Sequence, residues 1–500
     1  MSRHILAIDQ GTTGSTALVM ATDGATLGRA NREFPQHFPK PGWVEHEPEE
    51  IWNSVVESVG DALRAAGVPG SDIGAIGITN QRETSLLWER KSGRPVHRAI
   101  VWQDRRTAAF CNELKSGGHE DAVRKATGLV LDPYFSGTKL TWMLDHLGGV
   151  RAKAEAGELA FGTIDCFLVY RLAGGAEFSA PHVTDVTNAS RTLLMDLRQR
   201  RWSEAMCELL RVPRDVLPAI VPSAGEMGRT RAFPGLPDGI PISGMAGDQH
   251  AALFGQACFG VGEAKCTYGT GAFMLVNVGS KPLPSRYGLL STLGWQVGDE
   301  VVYALEGSSF IAGAAVQWLR DGLGLIEKAS DIETLAGSVI SSDGVTFVPA
   351  LVGLGAPHWD PDARGLITGI TRGTTKAHLA RATLEAIALQ VNDLLLAMRD
   401  DLGKPISRMR VDGGAAANNL LMQFQSDISA TTVERPKELE STARGAAMLA
   451  GIGAGLFASD AEAARLVHID RVFEVGMSEG DRQAHIARWN EAVRRAKSRP

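Results

Sequence analysis

Residues 5–20 read ILAIDQGTTGSTALVM, and residues 264–278 read AKCTYGTGAFMLVNV. Each stretch sets two runs of strand-forming residues around a short Gly/Thr turn. Each therefore predicts a strand, a tight turn and a second strand. The two hairpins lie about half a chain apart. Their likeness predicts an internal repeat and two related α/β domains, although Gly/Thr turns are common enough for a coincidence.

Between the hairpins, residues 48–67 (PEEIWNSVVESVGDALRAAG) predict a helix. Pro48 suits its first turn, Glu49 and Glu50 its positive end, and Gly67 its stop. Ile51, Val55, Val59 and Leu63 recur every fourth residue. Residues 73–79 (IGAIGIT) predict a strand that leads into Asn80-Gln81-Arg82-Glu83. Pro213, Pro218, Pro222, Pro234 and Pro237 punctuate the approach to PISGMAGDQHAALFG at 241–255. There the domain boundary is predicted, near residue 250. With no low-complexity linker, domains 1–250 and 251–500 should share a cleft.

Composition narrows the class. Of 500 residues 56 are Gly and 22 Pro. Glycine is enriched over the usual ~7%, yet Gly plus Pro stays well below the ~25–30% of disordered chains. The excess therefore belongs in tight turns and close backbone approaches. With 51 Lys+Arg against 57 Asp+Glu the net charge is −6, which argues against a nucleic-acid or anionic-membrane partner. Cys111, Cys166, Cys207, Cys258 and Cys266 form no C-x-x-C and are odd in number, which predicts reduced thiols in a cytoplasm. Residues 1–9 carry no apolar signal core. The most apolar stretch, GAAMLAGIGAGLFAS at 445–459, is too short to cross a bilayer and predicts a buried small-residue helix.

Several places carry chemistry. In the first turn, Gly11 and Gly14 let backbone N–H groups approach an anion, Thr12 and Thr13 add hydroxyls, and Asp9 could hold a divalent cation through water. A plain hairpin turn with a capping Asp explains the same residues equally well. Gly269-Thr270-Gly271 would be a second phosphate contact. A P-loop G-x-x-x-x-G-K-[ST] is absent, and Met274 fills the last glycine position of G-x-G-x-x-G, so neither of those nucleotide motifs applies. In RVDGGAAANN (410–419) a strand ends in Gly413-Gly414 and a helix starts, with Asn418 one turn on from Gly414. Gly313 and Gln317 are likewise i, i+4, where a flat base could rest; close helix packing is the alternative for both pairs. Asp248 heads a predicted helix. It reads as an N-cap, which position favours, or as a general base kept ionised by the helix dipole. Arg82-Glu83 reads as a solvated loop pair or as a donor and acceptor for adjacent hydroxyls. Trp102 reads as a core or interface aromatic, Asp104-Arg105-Arg106 as a solvated face. Glu45-His46-Glu47 lacks metal-site spacing and reads as a surface turn.

Taken together, ten segments in order along the chain resemble the FGGY family of carbohydrate kinases. They are DQGTTG (9–14), PKPGWVEHEP (39–48), GITNQRE (77–83), IVWQDRR (100–106), DPYFSGTK (132–139), VTDVTNASRT (183–192), PISGMAGDQHAALFGQ (241–256), TYGTGAFML (267–275), VPALVGLGAPHWDPDARG (348–365) and RVDGGAAANNLLMQFQSDI (410–428). Within the family, NQRE with DPYFSGTK resembles the branch acting on glycerol rather than on pentuloses. The resemblance implies an α/β fold of two ribonuclease-H/actin-like ATPase domains around a central cleft, where ATP and glycerol meet. It implies Asp248 as general base. Arg82, Glu83, Tyr134, Asp248 and Gln249 would hydrogen-bond glycerol, with Trp102 and Phe273 against its carbon face. Thr12, Thr13, Gly14, Thr270 and Gly271 would hold phosphates, Gly313, Gln317, Gly414 and Asn418 the nucleoside end, and Asp9 would help place Mg²⁺. A homo-oligomer, dimer or tetramer, is also implied. Two departures stand out. Gly14-Ser15-Thr16 replaces the Ser-Ser-Arg of many relatives, removing one cationic phosphate contact. FPGLPDGI (233–240) lacks the basic loop through which some bacterial members bind fructose 1,6-bisphosphate. The rival readings are a kinase for another small polyol or ketose and an actin-like ATPase switch.

Overall fold

A computed structural model describes residues 4–438 and 440–498. Both hairpins form as the sequence predicts, within one thirteen-stranded sheet. Its strands are β1 (His4–Gln10), β2 (Gly14–Met20), β3 (Thr26–Glu33), β4 (Ile73–Asn80), β5 (Ala224–Arg229), β6 (Pro241–Gly247), β7 (Glu263–Tyr268), β8 (Ala272–Gly279), β9 (Leu290–Val297), β10 (Glu300–Ser309), β11 (Arg408–Asp412), β12 (Thr432–Pro436) and β13 (Ile469–Phe473). They lie in the order β13-β12-β11-β7-β8-β10-β9-β5-β6-β4-β1-β2-β3.

That order contains the same unit twice. In β3-β2-β1-β4-β6 the first three strands are antiparallel neighbours and the last two join in parallel. In β10-β8-β7-β11-β12 the pattern repeats. The internal repeat is therefore a repeat of topology, of which the two turns were the local trace. Between the units, β5 and β9 meet through the single pairing Ala224↔Val297.

Helices cover the sheet. Helix α1 (Pro48–Ala66) buries Ile51, Val55, Val59 and Leu63, packs on β2 and β3, and stops at Gly67 in the left-handed conformation. Helix α2 (Asp248–Gly255) follows β6 directly. Helix α3 (Ser441–Gly453) is the buried small-residue helix expected within 445–459. It lies against α2 and across β4, β6 and β1 of the first unit. Glycine makes this approach possible: a Cβ at Gly445 would collide with the Ala251 carbonyl, and one at Gly77 with the Ala446 carbonyl.

Two expectations about charge are corrected. Glu45-His46 is not a surface turn but a short strand paired with Ala99-Ile100, with His46 fully buried. Asp104-Arg105-Arg106 is not a solvated face. The Arg106 side chain is buried 3.7 Å over the Trp43 ring and donates to Glu45 Oε1 and Asp104 Oδ2, each at 2.8 Å. Only Arg105 faces outward, paired with Asp132. The cover comes from Trp43 and Trp142, both distant from residue 106 in sequence, and no local charge pattern reveals it. Burial takes the His46 imidazole down to about 3, so it sits neutral between Gln36 and Gln81.

Candidate active site

The strand ends of both units converge on one face. In the first turn Gly11 N donates to the Gly14 carbonyl at 2.9 Å; in the second, Gly269 N donates to the Gly271 carbonyl at 2.9 Å. Thr13 and Thr270 are exposed, and Thr12 is half-buried. Gln81 ties the first turn to the end of β4: its backbone N–H meets the Gln10 carbonyl at 2.7 Å, and its Nε2 donates to Gln10 Oε1 and the Gly11 carbonyl.

Beyond Gln81 the chain bends sharply. Glu83 has φ +60, and Thr84 N donates to the Arg82 carbonyl at 2.7 Å, a strained left-handed γ-turn. Arg82 and Glu83 are thereby turned inward, not into solvent: both side chains are at most 2% exposed. Arg82 Nη1 and Nη2 donate to Glu306 Oε2 (2.5 Å) and Oε1 (3.0 Å), Nη2 reaches Tyr134 Oη at 3.4 Å, and Nε lies 3.1 Å from Asp248 Oδ1. Arg191 Nε donates to Glu83 Oε1 at 2.6 Å, and its Nη2 to Glu306 Oε1 at 3.1 Å. Burial of so many charges is tolerable because they alternate in sign and share hydrogen bonds. Among the described residues, Glu83 Oε2 takes no hydrogen bond, which leaves an acceptor beside Arg82 and Tyr134.

Asp248 is the exception in this cluster, since its side chain is 33% exposed. The N-cap reading is corrected: Gly247 holds the cap position, Asp248 is the first helical residue, and its carboxylate forms an ion pair with Arg82 and accepts from Gln249 N at 2.6 Å. Gly247 N is in turn held by Thr187 Oγ1 at 2.9 Å. Next along, Gln249 Oε1 accepts from Lys265 Nζ. The Trp102 indole N–H donates to Thr12 Oγ1 at 3.0 Å, and its ring meets Tyr134 edge-on at 5.7 Å, so Trp102 links Tyr134 to the first turn. Phe273 pairs with Ser308 and Leu275 with Glu306, which puts Phe273 on the same sheet face as Glu306.

Asp9 is pushed up to about 8 by burial and by the neighbouring Asp248 and Glu440 carboxylates. Uncompensated negative charge of this kind is what a divalent cation relieves. No group of three His, Cys, Asp or Glu among the described residues is placed to cage a metal. A cation at Asp9 would draw most ligands from water and phosphate, as Mg²⁺ does.

The predicted nucleoside residues also gather. Gly313 N donates to the Gly269 carbonyl at 2.9 Å and Ala314 N to the Thr270 carbonyl at 3.1 Å, which docks the helix Gly313–Gln317 on the second turn. Gln317 is exposed. A Cβ on Gly413 would stand 2.6 Å from the Tyr268 carbonyl, so Gly413-Gly414 passes directly beside the end of β7. One detail differs from the sequence reading. Gly414–Ala417 is a 3₁₀ turn, and the helix begins only at Asn419, because Asn418 caps it by accepting from Leu421 N at 2.9 Å. The Oδ1 of Asn418 is thus committed, and its Nδ2 is the group left for a ligand.

Three participants escaped the sequence reading: Glu306, Arg191 and Lys265. A Glu in the middle of the apolar strand EVVYALEGSS, Glu306, was the available signal, since a buried carboxylate must be paired. Arg191 lay inside a quoted segment without a role.

The description "FGGY family of carbohydrate kinases, N-terminal domain" matches residues 4–255, and its C-terminal counterpart matches 264–454. The chain belongs to the FGGY family of carbohydrate kinases. Among similar FGGY members, the glycerol kinase of Myxococcus xanthus is 58% identical over 99% of both chains, and that of Bordetella parapertussis 55% over 100% of this chain and 98% of its own. A crystal structure of the Plasmodium falciparum glycerol kinase with ADP superposes with a TM-score of 0.93 at 37% identity, over 99% of this chain and 98% of that one. A ligand-bound xylulose kinase from Lactobacillus acidophilus, at 22% identity and a TM-score of 0.89 over 99% and 98%, shares the fold. The fold is thus the two-domain actin-like ATPase fold of this family.

Proposed function

We infer that this protein transfers the γ-phosphoryl group of ATP to glycerol, giving ADP and sn-glycerol 3-phosphate. The observation that carries the reading is Asp248: a part-exposed carboxylate 3.1 Å from Arg82 Nε, at the rim of an otherwise buried cluster of charged side chains. The similarity to glycerol kinases of several bacteria over the whole chain supports the same substrate.

The attacking hydroxyl gives its proton to the Asp248 carboxylate as its oxygen bonds to phosphorus and the ADP oxygen leaves. Arg82 Nε faces the Asp248 carboxylate at 3.1 Å. Arg82 and Tyr134 donate to, and Glu83 accepts from, the remaining hydroxyls, with Trp102 and Phe273 against the carbons. Phosphoryl transfer has a loose transition state, so the protein mainly aligns groups and spreads charge. Thr12, Thr13 and Gly14 face Thr270 and Gly271 across the phosphates. Gly313, Gln317, Gly414 and Asn418 hold the nucleoside end. Asp9 would hold Mg²⁺, which when bound neutralises phosphate charge. Closure of residues 1–250 on 251–500 would exclude water.

The test is coupled ADP release with glycerol, erythritol, dihydroxyacetone and xylulose in turn. Glycerol should give the highest kcat/KM. A preference for another polyol would reassign the substrate, and ATP hydrolysis independent of every polyol would favour an ATPase switch. The same reading places the protein in the cytoplasm as a dimer or tetramer. Five free, buried cysteines support the compartment; among the described residues no helix is long and apolar enough to cross a membrane. Light scattering on the eluted protein measures the oligomer.

A further inference from the structure

Lys265 sits in β7 with no solvent exposure, yet its Nζ reaches the first turn of α2. It donates to Gln249 Oε1 and, at 3.0 Å, to Thr267 Oγ1. We propose that Lys265 is a positioning residue that fixes the Gln249 amide with its NH₂ toward the bound alcohol, so that Gln249 acts there only as a donor.

The orientation follows from valence. An ammonium has donors and no acceptor, so the atom facing it must be the amide oxygen. The usual ambiguity between amide O and N is thereby removed. With Oε1 turned inward, Nε2 is left on the other arm, and among the described residues it meets no protein acceptor. Burial lowers the proton affinity of Lys265, while the attraction of Asp412 opposes that loss. Burial in turn raises the Asp412 carboxyl, which the Lys265 charge opposes, and Asp412 Oδ1 is buried without a hydrogen-bond partner.

A consequence is chemical pairing at the head of α2. Asp248 can only accept and Gln249 can only donate, side by side. A hydroxyl needs one acceptor for its proton and offers lone pairs to a donor. Arg82 and Glu83 form a second such pair beside it, Arg82 Nε lying 3.1 Å from Asp248 Oδ1. The inference rests on the glycerol reading for the identity of the alcohol, but the Lys265–Gln249 contact can be tested without it.

The decisive variants are Gln249→Glu and Gln249→Leu, because Gln249 is only part-buried and tolerates change. In Gln249→Glu the carboxylate still meets Lys265 but the donor is gone. It should lose about 10–100-fold in kcat/KM for glycerol, as should Gln249→Leu, with KM for ATP unchanged. Lys265→Met should lose a similar factor, and adding it to Gln249→Leu should cost less than about threefold more, since both act through one amide. Wild-type activity in Gln249→Glu, or multiplying losses in the double variant, would overturn the proposal. Melting reads the contact without turnover: Gln249→Glu should melt above Gln249→Leu, and that gain should vanish when Lys265→Met is added. No gain would refute the contact itself, whereas a wild-type chain inactive on glycerol would refute only the substrate reading.

Discussion

At the end of β1 stands Asp9; at the matching end of β7 stands Thr267. After β4 come Gln81, Arg82 and Glu83; after β11 come Gly413 and Gly414. After β6 comes Asp248, after β12 Lys437. Four residues, Gly11 to Gly14, lie between the last paired residues of the first hairpin, and three, Gly269 to Gly271, between those of the second. The same five-stranded frame thus presents Asp9, Arg82, Glu83 and Asp248 at its strand ends in one unit, and in the other mainly glycine and threonine turns, Lys437 apart. Charge suits proton transfer and hydroxyl recognition, while bare backbone suits phosphate and a flat base. The first unit can keep so much buried charge only because the second lends it Glu306.

Four substitutions would break or sharpen that contrast. The largest effect is expected for Asp248→Asn, which should lower kcat by about 10²–10⁴-fold, or roughly 3–5 kcal/mol, while glycerol still binds. Steady-state kinetics decide it, and near-normal turnover would remove the base from the charged unit.

Glu306→Gln should destabilise the fold by about 3–5 kcal/mol, because Arg82 and Arg191 lose a shared buried partner. The effect should depend on pH. Burial raises the Glu306 carboxyl, but Arg191 and Arg82 outweigh it and hold it well below the usual carboxylate range. Its contribution is therefore fully present above the unfolded value of about 4.3 and is lost as pH falls below that. Urea unfolding at pH 7 should show the full gap between wild type and variant, and unfolding in stronger acid a narrower one.

Gly413→Ala probes the bare-backbone unit. Its φ of +83 and the nearby Tyr268 carbonyl leave no room for Cβ. The cost should be about 1–3 kcal/mol, seen as weaker ADP binding by calorimetry with KM for glycerol unchanged. An equal loss for glycerol would blur the contrast. The smallest change is expected for Trp102→Phe. Loss of the 3.0 Å bond to Thr12 should raise KM for ATP by a few-fold, the ~0.5–1.5 kcal/mol of one hydrogen bond.

What the sequence disclosed follows the range of each interaction. The two hairpins, α1 with its Pro48 start and Gly67 stop, and the buried α3 were readable because caps, turns and periodicity act over a few residues. Arg82 and Glu83 were readable only as candidates: their inward turn depends on the γ-turn at Glu83 and on Glu306, 224 residues from Arg82. Arg106 looked solvated because its cover, Trp43 and Trp142, comes from elsewhere. Asp248 looked like a cap because helix starts favour Asp. The helix instead begins one residue earlier than that reading needed, which frees the carboxylate for Arg82. Asn418, read as a ligand one turn into a helix, is the cap that starts it.

The glycine seam between α3 and the first unit has a mechanical consequence. At Gly77, Gly244, Gly255 and Gly445 main chain lies against main chain, with no side chain between. Such a contact resists being pulled apart, because every added ångström forfeits dispersion along its length. Sliding is resisted as well, because Met448 and Leu449 pack among Ile5, Leu18 and Met20, and Ser243 Oγ donates to the Ala450 carbonyl at 2.9 Å across the seam. A helix from the second half is thus riveted to the first, and any motion between the two units has to leave that contact intact.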